Sequence, residues 1–67
     1  MKSVSGKEMC RILERNDWVL VRIHASHHKY KKLGSRPIIV PVHGNTSLKV
    51  GLQHAIMKAA GLTEGDL

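Results

Sequence analysis

Three stretches with the look of β-strands follow one another through the middle of the chain: Trp18–His24 (WVLVRIH), Ser26–Lys32 (SHHKYKK) and Pro37–Val42 (PIIVPV). Only Ala25 and the short loop KLGSRP, Lys32–Pro37, connect them. A parallel pair needs a crossover of roughly a dozen residues or more, so these strands are expected to form an antiparallel meander. Proline donates no ladder hydrogen bond. The third strand should therefore start at Pro37 and finish near Pro41, or lie at an edge. The second strand alternates. His27, Lys29 and Lys31 fall on one face, and His28 and Tyr30 on the other. Lysines this close together belong in water, so the His27 face is expected to be exposed. Tyr30, with His28, should then point toward the core. A bulge near Ala25–Ser26 would exchange the two faces, because a one-residue slip swaps them. The first strand is apolar on both faces near its start, which leaves open the face that meets the rest of the fold.

Helices flank the meander. Ser5-Gly6-Lys7-Glu8 is a capping box, and Val4 and Met9 occupy the hydrophobic-staple positions around it. Met9, Ile12 and Leu13 form the apolar stripe of this helix, with Arg11, Glu14 and Arg15 off it. Asn16-Asp17 ends it, since both residues tolerate turn geometry. The segment HGNTS, His43–Ser47, is a turn into a last helix whose apolar stripe reads Leu48, Leu52, Ala55, Ile56 and Ala59. Gly61 suits the left-handed position that ends a helix, with Leu62 placed for the accompanying contact. Thr63–Asp66 can cap one further short turn. The order helix, three strands, helix gives an α+β fold in one domain over residues 1–67. Two helices cover one face of a three-stranded antiparallel sheet, the arrangement of a double-stranded-RNA-binding domain, and the other face stays open.

Size and composition narrow the function. A chain of 67 residues buries only about 60% of the surface it exposes when unfolded, so the core is thin. The single cysteine, Cys10, excludes an intrachain disulfide and fits a reducing cytoplasm. No apolar run is long enough for a signal peptide or a membrane span, so no membrane partner is expected. Lys and Arg number 11 against 5 Asp and Glu, a net charge of +6 that favours a polyanionic partner.

The stretch HASHHKYKK, His24–Lys32, carries the chemistry. It suits a metal site, an acid/base group or a phosphate-gripping surface. Metal is disfavoured by spacing. His24 and His27 are an odd number of residues apart, so a regular strand puts them on opposite faces, and His27 and His28 diverge as well. A histidine beside lysines could instead remove a ribose 2′-hydroxyl proton, while the lysines stabilise charge gathering on phosphate. That route needs no metal or other cofactor. From the pattern alone, an ordinary surface histidine in a solvated charge run is the simpler reading of His27. His28 reads as a partly buried ring, His24 as a strand-edge surface residue, His43 as a turn residue with a possible view of the same site, and His54 as solvated. Trp18 and Tyr30 read as core, not stacking platforms. Cys10 reads as inert, and Lys7, Arg11 and Arg15 as a solvated helix face.

The chain also resembles a known family over nearly its whole length. SGKEMCRILERNDWVLVRIHASHHKYKK is similar to the opening helix, Trp-containing strand and Gly-Ser-His-His-x-Tyr stretch of HicA-type toxins. IIVPVHGN resembles their valine-proline-x-histidine-glycine turn, and LKVGLQHAIMKAAGLTEGDL their closing helix and Ala-Gly-Leu-Ser/Thr ending. The resemblance implies a toxin of a type II toxin–antitoxin system, a ribosome-independent endoribonuclease (mRNA interferase) acting on mRNA. It also implies inhibition by a HicB-type antitoxin and contact with operator DNA only through that antitoxin. The family's catalytic histidine maps to His27, or to His28 in members that place it one residue later. Lys29, Lys31, Lys32, Arg22 and Ser26 are then the expected RNA-binding residues. Ala25 stands where the family usually has glycine, and Asp17 where glycine is frequent. A non-catalytic RNA-binding module of the same fold, or a basic protein-interaction domain, are the alternative readings.

Overall fold

The computed structural model describes residues 1–67. Helix α1 spans Gly6–Arg15 and begins where the capping box places it. The Ser5 hydroxyl accepts from the Glu8 amide at 3.1 Å, and the Glu8 carboxylate accepts from the Ser5 amide at 3.1 Å. Two otherwise orphaned amides are thereby satisfied. Val4 and Met9, the staple pair, are both buried. At the other end the Asn16 side chain donates to the Ile12 carbonyl at 2.8 Å. Asp17 adopts φ 70°, the left-handed conformation that Asp tolerates better than most residues.

The chain then runs through β1 (Val19–His24), β2 (His27–Lys31) and β3 (Ile38–Pro41), paired antiparallel in the order β1-β2-β3. Trp18 lies just before β1, not in it, and is buried. The β1–β2 connection is the two-residue turn Ala25-Ser26, with positive φ (54°) at Ala25 alone. Two-residue loops of this kind match the right-handed twist of the strands they join. The sheet's one irregularity is in β1, where pairing skips Val21 between Leu20 and Arg22. No bulge falls at the turn, so the alternation of β2 stands as expected. Tyr30 is fully buried with Ile38 and Val40, and His27 and Lys31 are exposed on the opposite face. β3 ends at Pro41 and also lies at an edge, which leaves the proline's missing donor without consequence. All six residues of β1 are exposed, so neither of its apolar faces is sealed by a helix.

Helix α2, Val50–Ala60, differs from expectation in which face it buries. The buried positions are Gln53, Ile56 and Met57, with Ala60 half-buried. Leu52, Ala55 and Ala59 face outward. The helix is therefore turned by one residue from the predicted stripe. Gln53 supplies the reason. Its carbonyl oxygen accepts from the Val4 amide at 3.1 Å, and its Nε2 donates to the Lys2 carbonyl at 2.6 Å. The Leu48 amide also donates to the Val4 carbonyl at 2.8 Å. The N-terminal segment thus lies along the entry to α2, and the glutamine satisfies the Val4 amide, which would otherwise be buried unpaired, while its own amide finds a partner in the Lys2 carbonyl. Gly61, at φ 68°, ends α2, and the Leu62 amide bonds back to the Met57 carbonyl at 2.8 Å. A short 3₁₀ turn, Glu64–Asp66, follows, with the Thr63 amide donating to the Asp66 carboxylate at 2.7 Å.

One cluster of 12 buried apolar residues holds these elements together, all on the helix side of the sheet. The opposite face has no helix over it.

A basic hollow on the open sheet face

The turn at Ala25-Ser26 sets what the open face presents. With two residues in the loop, His24 lies directly opposite His27, and two residues further along Arg22 lies opposite Lys29. On the other side of β2, His27 pairs with Pro41 and Lys29 with Ile39. Arg22, His24, His27, Lys29 and Ile39 line a shallow hollow of about 440 Å³. β1, β2 and β3 contain no Asp or Glu, so no carboxylate from the sheet neutralises this group of side chains. The floor is fixed from behind. The Val42 amide donates to the Ser26 carbonyl at 2.7 Å, tying the turn to the end of β3. Gly6, at the start of α1, packs directly under the Pro41 carbonyl.

The expected site residues do not all meet. Arg22, His27 and Lys29 share the hollow. Ser26 is half-buried in the turn beside it. Lys31 lies on the same face but at the far end of β2, where it borders a second hollow with Asp17, Val19, Lys32 and Leu33. Lys32 donates from Nζ to the Asn16 carbonyl at 3.1 Å. His28 is half-buried on the helix side, paired with Ile23 and Val40. His43 is exposed in a separate depression with Pro41, Thr46 and Leu48. A larger hollow of about 630 Å³, bordered by Met1, Val50, His54 and Met57, lies against α2. Across it the Met1 amino group pairs with Glu64 at 3.3 Å. The open-face hollow is smaller, but its four ionisable side chains, Arg22, His24, His27 and Lys29, are all of basic type with no carboxylate among them.

His24 is the residue that sequence reasoning placed wrongly. It was expected on the face opposite His27, which would hold if one strand ran through both. Because a turn separates them, they are cross-strand neighbours on the same face. The signal was present in the spacing, since residues flanking a two-residue hairpin loop always oppose each other. The correction adds a second imidazole to the hollow. Nowhere do three or more His, Cys, Asp or Glu residues gather to hold a metal ion.

Beneath the sheet the titratable groups are committed to structure. Burial raises the Tyr30 phenol far above its ordinary range, and its hydrogen bond to Glu14 reinforces the shift. Burial also pushes the Cys10 thiol up, against the opposing effect of a Tyr30 hydrogen bond, so the thiolate needed for nucleophilic chemistry is disfavoured. Trp18 and Tyr30 are both core residues and offer no stacking surface.

Compared with known families, residues 6–62 match the family model for the HicA toxin of bacterial toxin–antitoxin systems. The chain belongs to the HicA toxin family. The matched span runs from the first residue of α1 past the end of α2 and includes every residue of the hollow. No curated protein sequence matches the chain. As a HicA toxin it is the toxic member of a toxin–antitoxin pair and has a cognate antitoxin as partner. None of its helices is long and apolar enough to cross a membrane. Ala25, where the resemblance implies glycine, sits at the positive φ that glycine accommodates without strain.

Proposed function

We propose that this HicA toxin is a metal-independent endoribonuclease of the cytoplasm that cleaves mRNA without the ribosome, with His27 as its general base. The observation that carries the reading is the placement of an exposed histidine beside the Arg22–Lys29 pair on a face whose strands hold no carboxylate. A phosphodiester drawn to Arg22 and Lys29 brings the adjacent ribose within reach of His27. The imidazole takes the 2′-hydroxyl proton, and the freed oxygen attacks the phosphorus. Arg22 and Lys29 hold the charge that accumulates on the non-bridging oxygens. DNA has no such hydroxyl and is not a substrate. Lys31 extends the basic track along β2, and Lys32 and Ser26 contribute at its two ends. His28 is the lesser candidate, because it is half-buried on the side facing the helices.

The same face supplies the means of inhibition. Val19, Val21 and Ile39 are about half exposed near the basic residues. A HicB-type antitoxin with an acidic and apolar surface would cover them and block the hollow. Operator DNA is reached only through that antitoxin.

Induction of wild type, His27→Ala and His28→Ala in a bacterial host, with growth and a reporter mRNA followed together, tests this reading. Wild type and His28→Ala should arrest growth and degrade the message. His27→Ala should do neither, with a loss of about 10²–10⁴-fold in cleavage by the purified protein. Purified wild type that binds RNA at moderate salt but never cuts it would instead make the chain a binding module.

A further inference from the structure

We infer that His24 is the second proton-transfer group of the site, donating the proton that the leaving 5′-oxygen requires. The inference rests on the ribonuclease reading above and completes its proton balance. Attack of the 2′-oxygen on phosphorus forms one P–O bond and breaks another. One proton leaves the 2′-hydroxyl, and a different proton must reach the departing 5′-oxygen. A single imidazole beside the 2′-hydroxyl serves the first transfer and lies on the wrong side of the phosphorus for the second, because attacking and leaving oxygens are roughly in line. The open face offers few donors for that second transfer. β1, β2 and β3 contain no carboxylate, the thiol and phenol are buried beneath the sheet, and lysine and arginine hold their protons too tightly at neutral pH. What the hollow does hold is a second imidazole.

His24 and His27 are paired residues on neighbouring strands, both exposed and both on the hollow. Directly opposed residues have Cβ atoms about 5 Å apart. Two rings on that spacing flank a phosphate seated between them, and each can come within about 3 Å of one bridging oxygen. Arg22 and Lys29 form the next cross-strand pair on the same face and hold the non-bridging oxygens. The four side chains thus form two rungs, one for proton transfer and one for charge. No helix covers this face, and the only other charged group on its strands is Lys31, at the far end of β2. The cycle closes with balanced atoms. His27 gains the 2′-proton, His24 loses its own to the 5′-oxygen, and the products are a 2′,3′-cyclic phosphate and a 5′-hydroxyl end. Solvent then restores both protonation states.

The test uses the purified full-length chain and the linkage that wild type cuts in a reporter transcript, resynthesised as a short oligoribonucleotide. One version carries the natural 5′-oxygen at that linkage and a second carries sulfur in its place. A thiolate departs without protonation, so the sulfur substrate needs a general base but no general acid. On the oxygen substrate, His24→Ala and His24→Gln should each fall about 10²–10⁴-fold. On the sulfur substrate both should return to within a few-fold of wild type, while His27→Ala stays slow on both. Binding of an uncleavable 2′-deoxy analogue by the His24 variants should stay within a few-fold of wild type. Equal losses on the two substrates for the His24 variants would overturn the assignment and leave the ribonuclease reading standing. Rescue of His27→Ala by sulfur would overturn it too, by reversing the roles. Wild type that cuts no linkage in any transcript would overturn both readings together.

Discussion

Gly6→Ala is the substitution for which local propensity and tertiary structure give opposite signs. Gly6 is the first residue of α1, and in an isolated helix alanine is more favourable than glycine by up to about 1 kcal/mol. In the folded protein a Cβ at this position would stand 2.0 Å from the Pro41 carbonyl oxygen, 3.0 Å from the Pro41 carbonyl carbon and 3.1 Å from the Val42 Cα. All three are backbone atoms, so no side chain can swing away. Restoring an ordinary contact of 3.4 Å requires α1 and the end of β3 to part by more than an ångström. Forced overpacking of this kind costs about 1–3 kcal/mol, occasionally more. With every contact to backbone the cost should reach the upper end, about 3 kcal/mol, so net of a propensity gain of about 1 kcal/mol the variant should lose roughly 2 kcal/mol, which for a domain of this size lowers Tm by roughly 10 °C.

The displacement should also reach the site. Pro41 pairs with His27, and the neighbouring Val42 amide holds the Ser26 carbonyl at 2.7 Å. On the proposed reading, RNA cleavage measured well below the variant's Tm should therefore fall by more than the unfolded fraction explains. Gly51→Ala is the matched control. Gly51 lies in the first turn of α2 with nothing within 4 Å of the added carbon, so alanine there should leave Tm unchanged or raise it by a few degrees. Thermal unfolding of the two variants decides the matter. A Gly6→Ala protein as stable as wild type would refute the reasoning, because the close approach of α1 to β3 would then not constrain the fold.

Three further outcomes follow from other features. The Glu8 carboxylate is held below its ordinary value of 4.5 chiefly by accepting the Ser5 backbone amide, so its stabilising effect is present above that value and lost as pH falls through the lower folded-state one. The Tm difference between wild type and Glu8→Gln should accordingly shrink as the solution is acidified below 4.5, and a constant difference would contradict the capping account. Ala25→Gly removes a left-handed alanine that costs about 1–2 kcal/mol, offset by about 0.4–1 kcal/mol of extra unfolded-state freedom, so urea denaturation should show a gain of up to about 1.5 kcal/mol. Lys29→Ala should weaken RNA binding across sequences and reduce the slope of log affinity against log salt by about 1, whereas an unchanged slope would remove Lys29 from the phosphate contacts.

The parts of this fold that were legible in the sequence are those fixed by neighbours within a few residues. The capping box starts α1, the alternation of β2 assigns its two faces, and Gly61 ends α2, each through contacts spanning no more than a turn or a strand pair. The buried face of α2 was not legible for the same reason. The stripes Leu52-Ala55-Ile56-Ala59 and Gln53-Ile56-Met57-Ala60 have the same spacing and share Ile56, so periodicity cannot choose between them. The choice is made by two hydrogen bonds from Gln53 to the N-terminal segment, across 49 and 51 residues of chain. Hydrophobicity ranks glutamine last for such a position. The need to satisfy the buried Val4 amide ranks it first.

The hollow failed to be legible in one respect and was legible in the rest. Reading HASHHKYKK as continuous strand gives the correct faces for His27, Lys29 and Lys31 but separates His24 from them. Reading Ala25-Ser26 as a two-residue turn changes only the partner strand, and it brings both His24 and Arg22 onto the same surface. That surface stays open because so short a chain builds its whole core on one side of the sheet. The residues left over, half-exposed Val19, Val21 and Ile39 among cations without carboxylates, have two kinds of affinity at once. The cations attract phosphate, and that attraction weakens with salt. The apolar residues favour a protein surface, and salt weakens that contact far less. On the proposed reading, RNA and antitoxin therefore compete for one area, and the competition should tilt toward the antitoxin as ionic strength rises. Inhibition needs no second site and no change of shape, since covering the side of the sheet that the core does not cover is enough.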